Sequence, residues 1–434
     1  MLLGLVVTVA SAQILTLTPS LSVSERYDDN IFQTDTATET DFITSVIPGI
    51  FLRYVPSPPT EITFDYRTNF EFFAENEAQN QISQRGVLRL AAPLLSFLSV
   101  TLRDTFILTE EPGERVLEIE EVTGLRPVSE QRRARTVRNR TDATLSLQFF
   151  PRLTLDLLFA SLLSDVDVPD EVDEFRYRIG VDLGYLTDVA RRSRLSVAYE
   201  VTFHTFSANA AGSTRSDFDV HTITARFHHA LSPTLSTDAA VGYAFTVSDD
   251  PALDGDTSPT ANIRLVKTLR EGEATFSYQH QLTAGGGEGG VVTTDVLTLA
   301  FSLRISPRIT ARLGSNLSFF DFEEASLRRG GDRIFVVVRP GLTYQILRFL
   351  SLAVDYAFEY TNFTEDDPHL DFANRQDHRL TFTARLSLRN WLFLALTYTY
   401  TSRRFAEVTV FRGAEAFERN QFTLTLTTAP TFRF

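Results

Sequence analysis

The chain has 434 residues, 43% of them hydrophobic, with a mean hydropathy of −0.06 and a net charge of −14. The acidic balance argues against a nucleic-acid binder. The absence of cysteine excludes disulfides and thiolate metal sites, and beyond the N-terminus no apolar run reaches the 18 residues of a transmembrane helix.

Residues 1–12 read MLLGLVVTVASA, an apolar stretch ending in the small-x-small pattern Ala10-Ser11-Ala12. It lacks a basic start and is too short to span a bilayer. We expect the remnant of a secretory signal peptide, followed by one domain over 13–434. From there the apolar positions alternate with a period of two, the mark of strands with one apolar and one wet face. Asp41–Val55 and Thr60–Glu75 flank Pro56-Ser57-Pro58-Pro59. In the second of these, Ile62, Phe64, Tyr66, Phe70 and Phe72 share one face, with Glu61, Asp65, Arg67, Asn69 and Glu71 opposite. Arg85–Ala92 turns at Pro93 into Phe97–Thr109, and a long polar connection, 110–132, follows. Further segments are Thr136–Phe149, Leu153–Leu163, Glu174–Leu186, Arg194–Phe206, Asp217–Leu231, Thr234–Thr246, Thr260–Leu269 and Glu273–Thr283. Val292–Ile305, Ile309–Phe322, Arg333–Gln345, Leu350–Tyr360, Arg375–Leu388, Leu392–Ser402 and a final strand from Gln421 complete the series.

This predicts an all-β chain of about 20 strands, with 18 as the alternative. Short turns alternate with long loops throughout, the asymmetry of a transmembrane antiparallel up-and-down β-barrel with periplasmic turns and extracellular loops. An apolar face in lipid leaves no partner for open sheet edges, so the sheet must close.

Residues Ser24, Glu25, Tyr27, Asp28, Asp29, Asn30 and Ile31, followed by Asp41, Phe42, Ile43, Pro48 and Gly49, carry a resemblance. The chain resembles the β-barrel porins of Gram-negative outer membranes associated with exopolysaccharide export. The resemblance implies an outer-membrane conduit for an acidic exopolysaccharide. It also implies outer-membrane lipid, the barrel-assembly machinery and periplasmic polysaccharide-export proteins as partners. A general or anion-preferring diffusion porin is one alternative, and a non-conducting adhesive or structural barrel is the other. Asp28-Asp29-Asn30 reads either as a turn at a strand tip, where Asx side chains bond their own backbone, or as a calcium or sugar contact.

By alternation one wall gathers Arg53, Arg67, Arg89, Arg103, Arg138, Arg140, Arg176, Arg178, Arg194, Arg226, Arg264, Arg304, Arg312, Arg339, Arg379 and Arg385. These are the expected lumen-lining residues. Fewer carboxylates share that wall, among them Glu61, Asp65, Asp156, Glu174, Asp182, Glu200, Asp238, Asp355 and Glu359. The remaining acid lies in the loops, as in residues 165–174, 248–256 and 364–371. Rings of fixed charge select what passes a wet pore. Arginine and acid on neighbouring strands also brace a wall, and both uses are open for each residue. The long connection 108–133 carries Val116, Leu117, Ile119, Val122 and Leu125, enough to fold inward as a constriction.

No GxSxG or HExxH is present and the seven histidines are scattered, so neither an enzyme, a cofactor nor a metal site is expected. His228 and His229 should point to opposite faces, with His204 and His228 inward near Glu200 and Arg226. The closing stretch QFTLTLTTAPTFRF resembles the terminal strand of outer-membrane barrels, which makes Phe432 and Phe434 the expected assembly signal. Pro430, lacking a ladder donor, belongs at a strand end or edge.

Overall fold

A computed structural model describes residues 14–110, 135–166, 172–188, 193–208, 216–251, 254–284, 291–322, 333–363, 374–405 and 416–434. These residues form twenty long strands in one closed antiparallel sheet. In chain order they are β1 (Ile14–Asp28), β2 (Asp41–Val55), β3 (Glu61–Phe73), β4 (Gln81–Leu95), β5 (Leu98–Thr109), β6 (Thr136–Phe150) and β7 (Leu153–Val166). Next come β8 (Val172–Asp188), β9 (Ser193–Ala208), β10 (Phe218–Ser232), β11 (Leu235–Ser248), β12 (Thr257–Leu269), β13 (Gly272–Ala284) and β14 (Val291–Ser306). The circle ends with β15 (Ile309–Phe322), β16 (Arg333–Leu347), β17 (Leu350–Phe363), β18 (Arg375–Arg389), β19 (Leu392–Phe405) and β20 (Phe417–Thr428). A two-residue stretch, β21 (Phe432–Arg433), resumes the last strand after a break at Pro430. Each strand pairs with its chain neighbours, and β20 and β21 pair with β1. At the usual strand spacing and a tilt of about 40°, such a circle has a backbone diameter of roughly 40 Å.

The expected segments recur as strands, and β4 is longer than expected, starting at Gln81 rather than Arg85. A single turn of 3-10 helix, Glu77–Gln79, lies between β3 and β4. The connection 111–132, the glycine run 285–290 and the acidic stretch 364–371 lie outside the described residues.

Alternation sorts the two faces. On β9, Leu195, Val197 and Tyr199 are exposed outward, whereas Ser196, Ala198 and His204 are buried inward. The outward face is apolar from the short-turn rim up to a polar collar. On strands descending from the long loops, the collar position lies eleven residues above the lower strand end. Thr44 to Val55, Gln84 to Leu95, Asn139 to Phe150, Tyr177 to Asp188, His221 to Ser232, Asp295 to Ser306 and His378 to Arg389 all have this spacing. Rising strands answer with tyrosines set lower, whose hydroxyls reach up one diagonal step. Tyr66 donates to Gln84 Oε1 (3.0 Å), Tyr278 to Asp295 Oδ1 (2.6 Å) and Tyr398 to Asn420 Oδ1 (2.7 Å). Tyr199 meets His221 Nδ1 at 2.8 Å and Tyr356 meets His378 Nδ1 at 2.7 Å. On β5 the corresponding residue is Asp104, which accepts from Thr141 Oγ1 (2.7 Å) and Asn139 Nδ2 (3.3 Å). Eleven residues at a tilt of about 40° place this collar roughly 28 Å above the strand ends.

Two features shape the long-loop end. The first is a clasp at the closing seam. Asp28, fully buried, accepts Arg419 Nε at 2.9 Å, a second Arg419 nitrogen, and Gln421 Nε2 at 2.9 Å. Asp29 takes the backbone N–H and side-chain amide of Asn420 (2.6 and 2.7 Å), and Asn30 donates to the Glu418 carbonyl (3.0 Å). The Asp28–Asn30 stretch is therefore a local Asx turn, with Asn30 N–H donating to Asp28 Oδ1 at 3.2 Å, and also the lock between first and last strands. The second feature is a fault in one ladder. β12 and β13 pair only from Leu269/Gly272 up to Ala261/His280, and the upper residues of each strand, around Pro259 on β12, leave the ladder. Proline supplies no donor there. Leu282 from β13 and Val291 from β14 join Phe218, Val220 and Ala244 in one buried cluster. These last three point inward, so the top of the β13–β14 pair leans over the mouth.

Candidate functional site: the arginine-lined lumen

The register puts all sixteen predicted arginines in inward-facing rows. Most of them are braced. Arg53 meets Glu61 at 2.7 Å, Arg67 meets Asp65 at 3.1 Å and Arg140 meets Asp142 at 2.8 Å. Arg194 bridges Asp156 (2.7 Å) and Asp182 (2.9 Å), while Arg226 bridges Asp182 (3.0 Å) and Glu200. Arg178 also reaches Glu200, at 3.4 Å. Arg304 pairs with Glu271 (3.3 Å), Arg312 with Asp355 (2.9 Å) and Arg339 with Glu359 (2.9 Å). The Arg385 guanidinium lies 4.5 Å from the centroid of the Phe393 ring. Arg138 faces Ser164, Arg176 faces His204 and Arg379 faces Thr401 across their strand pairs.

The braces concentrate on β7–β10, where six charged side chains form one network, Asp156–Arg194–Asp182–Arg226–Glu200–Arg178. A recess of about 690 Å³ opens beside it, lined by Arg140, Arg176, Thr202 and His204 among others. His204 is buried against Glu174 (3.4 Å) and stacks on Phe218. His228 turns inward to Asp238 (2.5 Å) while His229 turns to Ser193 (2.6 Å). No grouping of three metal-binding side chains occurs among the described residues.

The opposite arrangement holds on β3–β5. Arg67 stands directly across from Arg85, and Arg89 directly across from Arg103. Like charges facing each other across a ladder are destabilising. Arg85, Arg89 and Arg103 are exposed to the lumen and have no ion pair among the described residues. Asp142 stands directly across from Arg103 but is held by Arg140, and Asp65 is held by Arg67. Arg264 is also without an ion pair among the described residues, and Asp238 opposite it is held by His228. The wall thus has a neutralised half and a cationic strip. Sequence reasoning missed Arg85, although it shares the face of Arg89 in the same segment. It likewise missed Arg26, Arg375, Arg403 and Arg419, which continue the inward rows toward the long loops. Arg26, Arg85 and Arg375 follow from the alternation within their own segments, and extending it by one or two residues adds Arg403 and Arg419.

This geometry defines a class: a lipid-embedded barrel with a wet, charged lumen. Solved structures share the fold. The ferric enterobactin receptor PfeA of Pseudomonas aeruginosa superposes with a TM-score of 0.55 at 10% identity, over 95% of this chain and 80% of that one. The siderophore receptor PirA of Acinetobacter baumannii gives 0.52 at 8% identity, over 95% and 80%. PirA of P. aeruginosa gives 0.50 at 10%, over 95% and 80%. No protein-family model matches the chain, and no curated protein matches it in sequence. The protein is a β-barrel of the Gram-negative outer membrane. Its outward face is the lipid face, its short turns are periplasmic, and the polar collar marks the outer-leaflet interface.

Proposed function

We propose that the barrel is a passage for anionic solutes, with the β3–β5 arginine strip as its selecting surface. The observation that carries this reading is the two pairs of facing arginines, Arg67/Arg85 and Arg89/Arg103, with no ion pair to Arg85, Arg89 or Arg103 among the described residues, Asp142 across from Arg103 being held by Arg140. Such an arrangement costs the fold about 0.2–1 kcal/mol per opposed pair. Serine or threonine, common elsewhere on this wall, would remove that cost. Departures of this kind are expected where function outweighs stability. Guanidinium groups bind carboxylate and phosphate in bidentate fashion and remain charged at any working pH.

The polymeric form of this function, suggested by the sequence resemblance, is passage of an acidic exopolysaccharide handed over by periplasmic partners. Its supports are the wide lumen and a continuous cationic strip, on which successive uronate-type carboxylates would exchange partners. Arg264 and Arg385 extend the cationic surface around the same wall.

The test is single-channel recording in a planar bilayer under a salt gradient. The wild-type reversal potential should show anion preference. Arg85→Ser/Arg89→Ser/Arg103→Ser should move it toward cations, and a larger shift is expected than from Arg178→Ser/Arg339→Ser, whose partners already neutralise them. A reversal potential that ignores the triple substitution would refute the assignment. Acidic oligosaccharides that block current in a length-dependent way would favour the polymer over free diffusion.

A further inference from the structure

Four consecutive periplasmic turns, those joining β12–β13, β14–β15, β16–β17 and β18–β19, each carry an exposed arginine: Arg270, Arg308, Arg348 and Arg389. None of the four has an ion pair among the described residues. Glu271, the acid beside Arg270, is held by Arg304 inside the lumen. Lys267, the one lysine of the chain, stands in the outward row of β12 opposite Leu235. The turns joining β2–β3, β4–β5 and β10–β11 carry no basic residue, whereas those joining β6–β7 and β8–β9 carry Arg152 and Arg191-Arg192, so the four consecutive turns form the longest uninterrupted basic arc of the rim. The same arc exposes Ile305, Leu347, Phe349, Leu388 and Trp391.

Neighbouring turns are two strands apart, roughly 12 Å along the rim. Exposed apolar side chains next to each turn enter the hydrocarbon edge and fix the height of the backbone. A guanidinium one to three residues away then lies at headgroup level, where the available anion is a lipid phosphate. Basic residues at such a surface attract anionic lipid, and guanidinium matches phosphate geometry. We propose that this arc, from Arg270 to Arg389, is a binding site for anionic phospholipids of the periplasmic leaflet. One headgroup phosphate meets each guanidinium, so the barrel holds a row of anionic lipids along this arc. A soluble acidic periplasmic protein is the competing occupant. The apolar side chains interleaved with the arginines favour lipid, because a soluble partner would leave them in water.

Trp391, the chain's sole tryptophan, sits two residues from Arg389 and reports on this arc alone. The refolded protein would be placed in mixed phosphatidylglycerol and phosphatidylcholine bilayers in which one or the other lipid is brominated. Quenching of Trp391 measures which lipid is adjacent. We expect a relative affinity for phosphatidylglycerol of about three- to five-fold. It should fall to parity in Arg348→Ser/Arg389→Ser, and in about 1 M salt, where the screening length is about 3 Å. Equal quenching by the two lipids in the wild type overturns the proposal and leaves the arc to a protein partner. A preference that survives both the substitutions and the salt also overturns it. The salt titration needs only wild-type protein, so a variant that fails to fold does not remove the test.

Discussion

Replacing Asp28 by alanine opens the seam on which the circle closes. β1 pairs with β2 along its whole length, Ile14–Asp28 against Asp41–Val55, but with β20 only over Leu21–Asp28 and with β21 at Thr16 and Leu17. The closing ladder is thus short and broken at Pro430. At its upper end the buried Asp28 carboxylate takes two nitrogens of Arg419, the amide of Gln421 and the N–H of Asn30. Arg419 is itself largely buried, at 12% exposure. Removing Asp28 strands that guanidinium, and breaking one side of a buried ion pair costs about 3–5 kcal/mol. Arg419→Ala strands the carboxylate and should cost a similar amount. The double variant loses the pair without leaving a charge behind, so its cost should fall well short of the sum. We expect a coupling of about 2 kcal/mol or more between them. Urea unfolding in lipid vesicles, followed by Trp391 fluorescence and by the gel mobility of the folded barrel, measures all four species. An Asp28→Ala barrel within about 1 kcal/mol of wild type would refute this account of the seam, as would strict additivity in the double variant.

Two other outcomes are expected. Leu282→Ala removes a side chain from the cluster that holds the β13–β14 top over the mouth. It should cost about 2–4 kcal/mol by the same urea assay and increase open-channel noise, whereas a quiet channel of unchanged stability would mean that the fault in the β12–β13 ladder is inert. Phe434 pairs its backbone with Leu15, with N–H to O at 2.9 Å, and exposes its ring to lipid. If it is the assembly signal, Phe434→Ala should slow insertion in cells while leaving refolding in detergent unchanged, and equal yields in cells would sink that role.

Strand number and facing were legible because a two-residue period survives in nearly every segment, and a membrane barrel has no core whose packing overrides it. What was not legible depended on register between strands. Gln84, His221, Asp295 and His378 each look like a stray polar residue in an apolar row. Only the diagonal step to a tyrosine on the preceding strand makes them one collar. Asp28 and Arg419 are remote in the chain, so no local motif announces their clasp, and the Asx-turn reading of Asp28-Asp29-Asn30 captured just the local half. Alternation revealed the excess of arginine on the wall, but not which arginines are braced. Arg226 finds Asp182 two strands away, while Arg89 finds another arginine across its ladder.

The collar has a consequence for the membrane itself. Its hydroxyls, imidazoles and carboxylates cannot sink into hydrocarbon without losing hydration, and the phenylalanines and Trp391 of the lower rim resist leaving it. The distance between them is therefore a ruler built into the protein. Its apolar part approaches the band of about 25 Å usual for outer-membrane barrels, thinner than an average bilayer. Long-chain lipids must compress around such a wall, at a fraction of a kcal/mol per Å of mismatch. Acyl-chain length thus becomes a control on this barrel's insertion rate, with short saturated chains giving the fastest folding.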